Sequence, residues 1–291
     1  MNKEYSKISP TAVFCARMRA KQNIPFSKEI INIIDQKFKN SIKDLPNYGK
    51  SLEHETNFIP FIEGRYYSLN KVLSKLNNIF IIEIASGLSP RSLEFLNKKN
   101  VTYTETELNS LIKIKIKVLN EITNKKNLKI KNLFLMPLNP LNKRDVDKIG
   151  KFYQKEGKGK KIVIVNEGLL MYLDKNEKKI FRDNIRYLFE KYCKKGMWLT
   201  TDFSRLKKKK QEIKGKENIR NKISKLTKRK FDYFKSEKEV KEFLKKGWFK
   251  AVIVSNKRLV ENLIHKKKLN SNKDSILKSS KSYQVWKIKL L

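Results

Sequence analysis

The chain of 291 residues is short of acid: 29 Asp and Glu stand against 68 Lys and Arg, a formal charge of +39. It is also short of cysteine and histidine, with two of each. Cys15 and Cys193 show no C-x-x-C or Cys/His ligand spacing, which excludes a disulfide framework and a zinc finger as organising devices, and no metal is expected. No apolar run approaches the roughly 18 residues needed to cross a bilayer. The opening MNKEYSKISPTAVF has no apolar h-region, so a soluble, cytoplasmic protein is expected. Only ten glycines are present, and no G-x-G-x-x-G or G-x-x-x-x-G-K-[ST] pattern occurs. That argues against a pyrophosphate held on a glycine-rich loop.

What is present is a globular composition, 39% hydrophobic and 10% aromatic. The positive charge invites a nucleic-acid reading, because Lys and Arg contacts to phosphate dominate such binding. Most of it is Lys, spread with Asn and Ile from end to end, which also fits a compositional bias acting on a tolerant surface. No specific nucleic-acid partner is expected.

The first 75 residues read as a helical cap, periodic over Ser27 to Phe38 and Tyr66 to Leu76. From Ile79 strands and helices alternate. Strands are expected at Ile79 to Ala85, Thr102 to Glu107, Leu133 to Leu138, Ile162 to Asn166, Trp198 to Phe203, Phe249 to Ser255 and Tyr283 to Leu290. The intervening helices are Ser89 to Asn97, Ser110 to Lys125, Asp145 to Gln154 and Asp174 to Tyr192, with a later one from Ser236 ending at Gly247. Such alternation predicts an α/β fold with a mostly parallel sheet covered on both faces. Seven strands, the last inserted antiparallel, match the Rossmann-like sheet of a class I methyltransferase. The cap spans 1–75 and the core 76–291, with a Lys-rich helical insertion at about 204–235 after the fifth strand. Lys257 to Ser282 reads as a polar excursion.

Chemistry is expected where the strands end, because ligands of open α/β sheets bind outside the carboxyl ends of the strands. Glu83 precedes the small turn Ala85-Ser86-Gly87; Glu105 and Glu107 close the second strand on one side of it; Asn166 and Glu167 follow the fourth. Acids without a phosphate cradle suit a cationic nucleoside such as S-adenosylmethionine, and an acid after the second strand can accept both ribose hydroxyls. An ordinary βα turn with charged strand ends would share these features. Asp202 closes the fifth strand as a rim acid or a cap.

The segments IIEIASGLSPRSLEF, YTETELNSLIKIK and IVNEGLLMYL, with SPTAVFCARMRA and IEGRYY nearer the start, resemble the leucine carboxyl methyltransferase family, in its bacterial branch that includes polyketide O-methyltransferases. The resemblance covers nearly the whole chain. It implies S-adenosylmethionine as cofactor, with Arg65 on the methionine carboxylate, Ala85, Ser86 and Gly87 lining that end and Glu83 beneath. It further implies Glu107 or Glu105 on the ribose, Leu138 and Asn139 beside adenine, and Glu167 at the amino end or the mouth. Ala85 stands where eukaryotic members have a glycine, Glu107 where the family has Asp, and Asn139 where a D-L pair has Asp. The implied activity is O-methylation of a carboxylate or hydroxyl on a small molecule or peptide. Arg17, Arg19 and Tyr172 are the candidates for touching that acceptor, and no catalytic residue is assigned. A hydroxyl acceptor needs a base, and the histidines are His54 and His265. A nucleic-acid methyltransferase, a nucleic-acid-binding protein and a methyltransferase fold kept as a binding module remain alternatives.

Overall fold

The strand β1 (Ile79–Ile84) is apolar except for Glu83 and buried at every position, as a central strand covered on both faces must be. In the computed structural model it is paired in parallel with β2 (Val101–Glu107) on one side and β4 (Lys161–Asn166) on the other. The structure describes residues 9–22, 24–38, 59–157, 159–203, 219–254 and 284–291. With β3 (Leu133–Pro137), β5 (Met197–Thr200), β6 (Phe249–Val254) and β7 (Val285–Leu290), the sheet runs β3-β2-β1-β4-β5-β7-β6. Among the described strands β7 alone runs against the other six, set between β5 and β6. This is the class I methyltransferase sheet. Strand order reverses between β1 and β4, so the segments leaving them diverge and open a crevice at their carboxyl ends.

Alternation along the strands feeds two cores. Ile79 and Ile81 face one built with α1 (Ser9–Lys21), α2 (Ser27–Ile33), α3 (Ile59–Ser74) and α4 (Asn109–Lys125). Phe80, Ile82 and Ile84 face the other, closed by α5 (Lys143–Glu156), α6 (Lys175–Tyr192) and α8 (Glu237–Lys245). Helices α6 and α8 start at the capping residues read from the sequence. Asp174 and Glu177 exchange side-chain-to-backbone bonds of 2.9 Å each, and Ser236 accepts from the Glu239 amide at 3.1 Å.

Three expectations are corrected. The helix from Ser89 to Asn97 is instead one tight 3₁₀ stretch, Arg91–Phe95, wound from Pro90 so that Arg91, Ser92 and Leu93 all turn inward. The fifth strand stops at Thr200, because Thr201 to Phe203 bend away to place Asp202. Beyond Ile33 the α2 helix loosens into a π-turn over Ile34–Phe38. Of the insertion after β5, α7 (Ile219–Thr227) and the chain to Lys235 are described. Residues 204–218, the excursion at Lys257 to Ser282, His54 and His265 lie outside the described residues. No described helix is long and apolar enough to cross a membrane.

Candidate active site at the strand ends

The turn after β1 holds two left-handed residues, Ala85 (φ 52°) and Gly87 (φ 53°), on either side of Ser86. Left-handed backbone is costly for any residue with a Cβ, so Ala85 carries strain that Gly87 does not. Several bonds fix the turn. Ser86 N–H donates to the Thr106 carbonyl at 3.0 Å, and Gly87 N–H donates to Glu107 Oε2 at 2.9 Å. Glu107 Oε1 also accepts from Leu108 N–H at 2.8 Å. A carboxylate offers about four acceptor positions, so Glu107 keeps capacity on both oxygens for a further donor. Burial raises its pKa, and the Leu108 and Gly87 amides oppose that rise. From above, α1 presses on the turn: a Cβ built on Gly87 would lie 3.2 Å from the Ala12 methyl.

Glu83 and Glu167 belong to one buried chain of charge. Arg91, fully buried, donates to Glu83 and, at 2.5 Å, to Glu167 Oε2. Glu83 accepts also from the Tyr103 hydroxyl at 2.7 Å, and Glu167 from Arg19 at 3.2 Å. Glu83 therefore holds Arg91 and does not face the turn. Arg91 Nε donates to Asn70 at 2.7 Å, and its guanidinium lies 4.8 Å from the centre of the Tyr66 ring, so α3 is stitched to the rim. Burial alone would raise the Glu167 pKa; Arg91, Arg19 and Arg65 overcome it and hold the group at about 2. For Arg91 burial acts downward, yet Glu83 and Glu167 keep it well above its ordinary value.

Beside this chain stands Asp202. Its two oxygens accept from Arg65 (2.6 Å), the Asn166 side chain (2.7 Å) and the amides of Gly168 (2.6 Å), Leu169 (2.8 Å) and Leu170 (3.0 Å). The turn that presents Glu167 is thus shaped by a carboxylate from just beyond β5. Gly168 sits there at φ 83°, where a side chain would be strained. Arg65 also donates Nε to Thr201 at 2.9 Å and stacks 4.9 Å from the Phe61 ring centre. Its expected ligand-binding face is therefore partly committed to Asp202 and Thr201.

The remaining candidates separate. Glu105 is fully buried and lies 2.7 Å from Lys115 Nζ, so it is below the rim and away from any ribose site. Ser86 turns its hydroxyl to the same Lys115 at 2.9 Å. Leu138 packs in the second core while its amide bonds the Glu107 carbonyl at 2.9 Å. Asn139 closes a local turn, its Oδ1 accepting from Leu141 at 3.0 Å and its N–H reaching Asp145 at 3.2 Å. That oxygen is already engaged as an acceptor. Arg17 pairs with Asp35 within the cap. Tyr172 is buried, its ring edge-on to Phe231 and its carbonyl accepting from Arg229 at 3.0 Å. Among the described residues no group of three or more His, Cys, Asp or Glu is placed to hold a metal ion.

Arg91, Thr201 and Lys115 organise the site without having been singled out for it by sequence reasoning, and Asp202, expected as a rim acid or a cap, joins them. For Lys115 a signal existed. It sits on the buried stripe of α4 formed by Leu111, Ile112, Val118, Leu119 and Ile122, where a lysine is out of place unless something below it is anionic.

No family model matches the chain, and no curated protein matches it in sequence. Among solved structures, the pyocyanin biosynthetic protein PhzM is 8% identical, with 92% of this chain and 74% of that chain covered and a TM-score of 0.47. An O-methyltransferase family protein from Burkholderia thailandensis is 11% identical over 90% and 71%, at 0.45. The methyltransferase domain of bacterial CtHen1-C is 12% identical over 79% and 98%, at 0.47.

Proposed function

We propose that this chain is a cytoplasmic S-adenosylmethionine-dependent O-methyltransferase of the leucine carboxyl methyltransferase type, acting on a small-molecule or peptide acceptor. The observation that carries the reading is Glu107. A carboxylate at the end of β2, bonded to the Gly87 amide of the β1 turn and with acceptor capacity left on both oxygens, suits a ribose diol beside a cationic group. A pyrophosphate would be repelled by the same carboxylate. The fit extends to Ala85 and Gly87 at the methionine end and to Arg65 and Glu167 at the rim.

When bound, the cofactor supplies a methyl group on a sulfonium, transferred by in-line displacement. What the protein must do is hold an acceptor oxygen in line and exclude water. The cap meets that second need, since α1 rests on the turn and Arg19 ties it to Glu167. Arg91 is fully buried and spent on Glu83, Glu167 and Asn70, which leaves Arg19 and Arg65 as the guanidinium groups near Glu167 that would orient an anionic acceptor. A carboxylate acceptor requires no base; a phenol or alcohol would.

The test is titration of S-adenosylmethionine by calorimetry and thermal shift, with Glu107→Ala as the control. A ligand specific for the folded state at about 100 times its Kd adds about 2.7 kcal/mol of stability, so wild type should melt higher with cofactor and Glu107→Ala much less so. No shift at millimolar cofactor, or a salt-dependent affinity for nucleic acid with no cofactor binding, would refute the proposal.

A further inference from the structure

We infer that Lys115 is a positioning residue for the cofactor: gripped by Glu105, its ammonium fixes Ser86 and thereby the two left-handed residues on either side. The inference rests on the methyltransferase reading above. Lys115 is 1% exposed on α4, with Nζ 2.7 Å from Glu105 Oε2 and 2.9 Å from Ser86 Oγ. Burying an ion pair gains little stability, and apolar residues of similar volume usually serve as well or better. A leucine at 115 would complete the stripe of α4. Core stability therefore does not account for a lysine there.

Geometry does. Ser86 lies between Ala85 and Gly87, both at positive φ, and the alanine pays for that conformation because it has a Cβ. Such a turn keeps its shape only while its surroundings over-determine it. Ser86 is held on its backbone side by the Thr106 carbonyl and on its side-chain side by Lys115. Gly87 N–H in turn aims at Glu107, the proposed ribose acceptor. Releasing Ser86 Oγ leaves Ala85 free to relax, and the Gly87 amide and Glu107 lose their alignment. Glu105 supplies the negative charge that lets an ammonium stay beneath a site meant for a cationic ligand.

The experiment compares wild type, Ser86→Ala, the paired Lys115→Met with Glu105→Leu, and all three changes together, in the full chain. Cofactor affinity is read by calorimetric titration, and unfolding temperature is read without ligand. The expected result is an unfolding temperature close to wild type and an affinity about tenfold weaker in both Ser86→Ala and the paired variant, about 1.4 kcal/mol. The combined variant should lose no more than either, because both act through one contact. Additive losses, or wild-type affinity in the paired variant, would overturn the inference. If the paired variant does not fold, Ser86→Ala decides alone, and unchanged affinity there overturns it. Wild type failing to bind the cofactor would remove the methyltransferase reading itself, a different outcome from binding that ignores Lys115.

Discussion

Glu167→Gln isolates the charge at the centre of the rim while keeping its shape. The side chain is 7% exposed and lies between Arg91 at 2.5 Å and Arg19 at 3.2 Å. Its pKa is held at about 2 against an ordinary 4.5. A carboxylate whose folded pKa is depressed contributes its full stability above the unfolded value and loses it as pH falls through the folded one. The interval from 4.5 to about 2 is worth about 3 kcal/mol at pH 7, and about 2 kcal/mol by pH 3.5. Glutamine retains an acceptor for one arginine but supplies no charge, so the variant should be less stable by about 3 kcal/mol at neutral pH. Urea unfolding of both proteins at pH 7, 5 and 3.5 measures the difference directly. It should narrow toward pH 3.5, because the wild type alone loses the contribution. A difference below about 1 kcal/mol at pH 7, or one that stays flat across the series, would refute the assignment of Glu167 as the shared counter-ion.

Two further substitutions probe the turns. Ala85→Gly removes the Cβ from a residue at φ 52°, which costs about 1–2 kcal/mol, against about 0.5–1 kcal/mol of extra chain entropy for glycine. A modest gain in stability is expected in thermal unfolding; a loss would show that the turn is not strained at this residue. Asp202→Asn turns an amide donor toward a site where all five contacts are donors. It should destabilise by about 3–5 kcal/mol in urea unfolding, and a variant within 1 kcal/mol of wild type would refute the hub role of Asp202.

The strands and most helices were legible because the signals are local: β-branched apolar runs, capping residues such as Asp174 and Ser236, and periodicity. The stretch after β1 is harder: Ser89 followed by Pro90 reads locally as the start of a helix, and nothing local shows that the chain must tighten to bring Arg91 inward. The rim acids were visible as a set, since β-strand ends in this fold point to one crevice. Their partners were not. Arg19 and Glu167 lie 148 residues apart, and Arg65 and Asp202 lie 137 apart.

Depth was the property hardest to read, and strand pairing supplies it. Glu83 and Glu105 are directly opposite each other on parallel neighbours β1 and β2. Two like charges facing across a buried sheet repel, so each demands its own cation. Arg91 answers Glu83 and Lys115 answers Glu105, one from the 3₁₀ stretch after β1 and one from the helix after β2. Glu107, one step further along β2 on the same side, has passed the end of that pairing and meets backbone amides instead of a cation. The three acids of the motif region are thus sorted by register. Two are neutralised inside the sheet, and the third is left with acceptor capacity at its edge, where a ligand carrying its own positive charge would find it.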